Sequence, residues 1–106
     1  MGDITKAKET LKEVEELGNI YLRILAQIEL AEACRQLANY IEAENHLKEA
    51  LVTSSAYFGP NSFLELTILQ RLLPIYSSLS NSFLYESTKS QYYSLRISSL
   101  ASSLSI

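Results

Sequence analysis

Set against itself at an offset of 42 residues, the chain places Leu30-Ala31-x-x-Cys34 over Leu72-Leu73-x-x-Tyr76, and Asn39 over Asn81. A recurrence of that length is one supersecondary unit met twice. A unit that cannot bury its apolar face alone has to stack on its neighbour. The spacing within each copy is that of a helix face. Only three Gly and two Pro occur in 106 residues, too little backbone punctuation for a many-turned β chain. The fold class expected is all-α, in one domain able to hold a core without a metal or disulfide staple.

Five helices follow from periodicity and punctuation. Ile4, Ala7, Leu11, Val14 and Leu17 share one face of a helix over 4–17, which Gly18-Asn19 closes. A second helix is predicted from about Ile20 to Ala38. Its apolar arc (Ile24, Ile28, Ala31 and Cys34, widened by Leu30, Ala33 and Leu37) is broad enough for contacts on two sides. Asn39-Tyr40 breaks the chain before a third helix, about 41–54, built on Ala43, Leu47, Ala50 and Leu51. Gly59-Pro60-Asn61 is the strongest turn signal, and Ser62-x-x-Glu65 after it is a capping box that opens a fourth helix. Pro74 lies within that helix, so a kink near Leu73 or a break in two is expected there. The last helix, about 82–104, spaces Tyr93, Ile97, Leu100 and Leu104 on one stripe, while its many Ser leave packing to hold it.

The first hairpin reads Leu30-Ala31-x-x-Cys34, then Ala43-x-x-x-Leu47-x-x-Ala50, and resembles the tetratricopeptide repeat. Small residues at Ala31, Ala43 and Ala50 let paired helices approach closely. With a period of 42 and the Gly-Pro turn of residues 59–60, it is similar to the longer subtype found in kinesin light chains. The resemblance covers about residues 20–97. It implies a short right-handed α-solenoid of about five antiparallel helices: residues 1–19 a partial repeat or capping helix, 20–60 a first hairpin and 61–106 a second. The chain departs from the family at Gln27, where Trp is frequent, at Leu73, where Gly or Ala is usual, and by extra residues before Ser87. A small irregular helical bundle is the structural alternative.

In the family, the first helix of each hairpin lines a concave face that takes a protein or peptide partner. By position this implies Leu25, Ile28, Glu29, Glu32, Arg35 and Gln36 from one hairpin, and Thr67, Gln70, Arg71, Ser77 and Ser78 from the next. Glu32 and Pro74 stand where the family's carboxylate clamp wants Asn, so that ligand class is set aside. Arg35 and Arg71 either hold an acidic or carbonyl-rich segment or, for Arg35, pair with Glu32 or another acidic neighbour. The expected function is an adaptor or scaffold. The alternative is an assembly subunit that self-associates through its C-terminal half, as a homodimer using Tyr93, Ile97, Leu100 and Leu104.

The two halves differ sharply. Residues 1–50 carry six basic and ten acidic side chains, the rest three and two, and all fifteen Ser lie beyond residue 53. A low-charge half rich in Tyr suits a protein interface, although interfaces are poor in Ser, and drift of solvent-facing positions is the plainer explanation. The net charge of −3 and the interleaving of Lys6, Lys8 and Lys12 with Glu9, Glu13 and Glu16 give no positive stripe for nucleic acid. The last helix offers only Lys89 and Arg96 to an anionic surface, which disfavours membrane binding. No targeting segment is expected at the N-terminus, no apolar run approaches a membrane span, and the single Cys34 suits a cytoplasmic location.

No catalytic constellation is expected, and no enzyme activity or cofactor. Cys34 should point between helices as a small core residue while His46 faces away from it. Glu42/His46 and Glu44/Lys48 are read as ordinary i,i+4 surface pairs, and no metal site is expected.

Overall fold

The computed structural model describes residues 4–104, except the side chains of residues 17 and 101–104. Five helices follow one another: α1 (Ile4–Leu17), α2 (Ile20–Gln36), α3 (Tyr40–Phe58), α4 (Phe63–Ser78) and α5 (Ser82–Leu104). No strand occurs among the described residues, and the protein is all-α. Each helix packs on the next, and α2 also touches α4. The molecule measures 43 × 36 × 21 Å, and its short axis matches two helix diameters of about 10 Å, as for two layers of helices.

The 42-residue recurrence reappears in the backbone. Asn39 N–H donates to the Cys34 carbonyl (2.8 Å) and Ala38 N–H to that of Arg35 (2.9 Å). Asn81 N–H likewise donates to Tyr76 (3.0 Å) and Ser80 N–H to Ser77 (3.1 Å). Both sets are the paired bonds of a Schellman motif, with a left-handed residue at the turn: Ala38 at φ 62° and Ser80 at φ 55°. The next helix then starts with the same backbone bond, Ala43 N–H on the Asn39 carbonyl and Tyr85 N–H on that of Asn81, although only Asn81 adds a side-chain cap.

Local chemistry accounts for most boundaries. Asn19 Oδ1 accepts from Leu22 N–H at the start of α2, and Asn81 Oδ1 from Leu84 N–H at the start of α5. Ser62 Oγ accepts from Glu65 N–H, while the Glu65 carboxylate takes the Asn61 N–H (2.6 Å), one residue earlier than in the usual reciprocal box. The third helix runs four residues past the predicted Ser54, because no breaker precedes Gly59, whose φ of 77° ends it. Ser54 is buried, with its Oγ 3.2 Å from Ser62 Oγ.

Of the two outcomes expected at Pro74, a kink or a break, the break does not occur: α4 is continuous over Phe63–Ser78. Proline deprives only the Gln70 carbonyl of its donor, and Pro74 and Gln70 are both exposed, so water can serve that oxygen. Leu72, Ile75 and Tyr76 meanwhile anchor the inner face.

One core joins the helices. Ile24, Leu30 and Cys34 of α2, Leu47 of α3 and Ile68 and Ile75 of α4 have no more than 1% of their surface exposed. Gln27 is also buried. The last helix turns inward a face other than the apolar stripe that its spacing singles out as the surface for self-association. Thr88, Tyr92 and Leu95 are buried, whereas Tyr93, Ile97 and Leu100 are half or more exposed; the Leu104 side chain lies outside the described residues.

Candidate functional site

Helices α1 and α2 enclose an open groove of about 560 Å³. Ala7 and Val14 of α1 and Leu22, Leu25, Ala26 and Ala33 of α2 supply its apolar surface. Lys6, Thr10, Glu29, Glu32 and Gln36 supply the polar groups. The amphipathic α1 seats Ile4, Ala7 and Leu11 against the core, and Arg23 Nε lies 3.6 Å from a Glu15 oxygen across the α1–α2 turn.

Four of the six α2 residues implied by the repeat resemblance (Leu25, Glu29, Glu32 and Gln36) line this groove. Ile28 does not: it is 3% exposed and belongs to the core, because the arc of α2 is covered by α3 and α4 as well as α1. The α4 residues do not line it either. Thr67 is half-buried, with its hydroxyl donating to the Phe63 carbonyl, and Gln70 and Ser78 are exposed. Ser77 borders a separate recess with Tyr76, residues 80–82, Tyr85 and Glu86.

Arg35 and Arg71 both turn to Glu32. Arg35 Nε and Nη2 reach its two oxygens at 3.0 and 2.6 Å, and Arg71 Nη1 approaches from α4 at 3.5 Å. Hydrogen bonding to Arg35 holds the Glu32 carboxyl below the usual range against the effect of burial, and the positive charges of Arg35 and Arg71 add to it. The pairing of Arg35 with Glu32 is therefore the alternative the structure selects.

Sequence reasoning missed Ala7, Val14, Leu22, Ala26 and Ala33. The signal that finds them is the 42-residue offset itself. Their α2 members correspond to Leu64, Ile68 and Ile75 of α4, all within the core, whereas Leu22 is 41% exposed where Leu64 is 4%. Ala26 and Ala33 are buried too, but with Ala where α4 carries Ile, and with Leu22 exposed, α2 leaves a groove along the face that α4 fills.

A second cluster lies where α2 meets α3. Contrary to expectation, His46 does not face away from Cys34. The Cys34 sulfur, a Glu42 carboxylate oxygen and a His46 ring nitrogen lie within 4.8 Å of one another, with His46 Nε2 3.7 Å from Glu42 Oε1. The short turn at residues 37–39 folds α3 tightly onto α2. Ala43 and Leu47 fill the seam, and residues 42 and 46, one position earlier, flank it with a four-residue spacing. Lys8 of α1 stands 3.9 Å from Glu42. Burial pushes the Cys34 thiol up, the Glu42 charge adds to that, and Lys8 opposes it. On the other side of α3, Glu44 pairs with Lys48 at 3.3 Å. The Tyr76 phenol is pushed far up by burial and by its hydrogen bond to Glu44.

Among the described residues no helix is long and apolar enough to cross a membrane. Neither a family model, nor a curated protein, nor a solved structure matches the chain.

Proposed function

We propose that the protein is a tetratricopeptide-like interaction module, without enzymatic activity, that takes an amphipathic helix of a partner protein into the α1–α2 groove. The observation that carries this is the contrast between equivalent faces. Leu64, Ile68 and Ile75 are enclosed in the core, while at the equivalent positions Leu22 is 41% exposed and the smaller Ala26 and Ala33 floor a groove of a size suited to side-chain knobs. The occupant would present Leu, Ile or Val at i, i+3/i+4 and i+7 toward the alanines. It would carry a basic flank toward Glu29, which is exposed and has no basic group at ion-pair distance among the described residues.

Selection from a displayed library of amphipathic helical peptides tests this directly. Enriched peptides should share that apolar spacing and a basic edge. Thr10→Trp, which fills the groove from an exposed position on α1, should weaken them at least about tenfold, or roughly 1.4 kcal/mol, with the melting temperature little changed. Peptides indifferent to both Thr10→Trp and Leu22→Asp would overturn the assignment.

Self-association is the second candidate, and one observation favours it: Tyr93, Ile97 and Leu100 form an apolar stripe on α5 that no other part of the described chain covers. A homodimer through this stripe would bury what the solenoid leaves open at its C-terminal end.

A further inference from the structure

We propose that Cys34, Glu42 and His46 form a zinc-binding site at the seam of α2 and α3. Their three donor atoms already lie within 4.8 Å of one another. Tetrahedral zinc, with bonds of about 2.0–2.3 Å, needs its donors about 3.3–3.6 Å apart, so side-chain adjustments of about 1 Å complete the arrangement. The nitrogen–oxygen separation of 3.7 Å needs almost none. Two of the ligands are anchored by one helix at i,i+4, and the third stands on the facing helix. The geometry therefore rests on packed secondary structure and not on a loop.

The donor chemistry selects the metal. A thiolate and an imidazole favour zinc over magnesium or calcium, which prefer all-oxygen shells, and the carboxylate completes a set of three. The thiol forms the buried side of the site, while the His46 and Glu42 side chains are 22% and 44% exposed. The ion has a route in from solvent, and its fourth position is left to water. On binding, the Cys34 S–H gives its proton to solvent as the sulfur–metal bond forms, so the two anionic ligands balance the dication. Lys8, beside Glu42, is the cation that the metal displaces.

Because Cys34 is the only cysteine, cobalt(II) is an unambiguous probe: a near-ultraviolet thiolate-to-cobalt charge-transfer band can arise from no other residue. The full chain, kept reduced with a phosphine, is titrated with cobalt and then with zinc. The expected result is a band saturating at one cobalt per chain and bleached by one equivalent of zinc. His46→Ala and Glu42→Gln, both at the rim of the core, should each weaken cobalt at least about tenfold while metal-free circular dichroism and melting stay as in the parent. Lys8→Met, which removes the competing charge, should tighten it. The proposal is overturned if no band appears, if it saturates at one cobalt per two chains, or if neither rim variant changes the affinity.

Discussion

Glu32 gathers two arginines from different helices, which makes Glu32→Gln the most informative single change. The variant keeps size and hydrogen-bonding shape but removes the charge that Arg35 holds at 3.0 and 2.6 Å and Arg71 approaches at 3.5 Å. Hydrogen bonds to charged groups contribute about 1.5–3 kcal/mol when enclosed, and exposed pairs about 0.2–1 kcal/mol. Here the Glu32 side chain is 23% exposed and its partners 34% and 41%, so the cost at neutral pH should be about 1 kcal/mol, or a melting temperature lower by about 4 °C. The pH dependence supplies the sharper check. The folded state holds the Glu32 carboxyl below its unfolded value, so between the two values the unfolded chain binds more protons and stability rises with pH. The contribution is complete above the usual carboxylate range and disappears as pH falls through the depressed value. Urea unfolding of both proteins from pH 3 to pH 7 should therefore give curves that differ at neutral pH and converge in acid. A deficit independent of pH, or none at pH 7, would refute the two-arginine account.

Ala38 sits at φ 62°, where an L side chain is strained and glycine is not, so Ala38→Gly should raise stability by about 0.5–1 kcal/mol in thermal unfolding. A loss instead would mean that the Ala38 turn is held by contacts of its methyl group. For α5, sedimentation should show the parent associating at micromolar concentration and Ile97→Asp with Leu100→Asp restoring a monomer without loss of helix, since both side chains are more than half exposed. A parent that stays monomeric at high concentration would rule out the C-terminal stripe as an interface.

The helices were legible because their signals are local. Gly18, Asn39, Gly59-Pro60-Asn61 and Ser62-x-x-Glu65 act on the backbone within a few residues. Cap and turn chemistry does not depend on what lies across the core. The 42-residue offset also survived intact into matched Schellman turns, because the bonds that define them join residues five apart or fewer. What the sequence could not set is the rotation of each helix against its neighbours.

Periodicity says which residues share a face, and α5 carries two overlapping faces. Packing chose Thr88, Tyr92 and Leu95 for the core and left Tyr93, Ile97 and Leu100 outside. The same freedom hid the approach of His46 to Cys34 and the convergence of two arginines on Glu32, which depend on how α3 and α4 lie against α2. It also hid the groove, which lies where α1 packs on α2 over small side chains and leaves Leu22 and Glu29 exposed. By itself the sequence determined an all-α chain of five helices with two matched turns 42 residues apart, since hydrogen bonding along the backbone and capping are short-range. The tertiary structure alone decided which faces meet, because burial is a sum over neighbours that come from elsewhere in the chain.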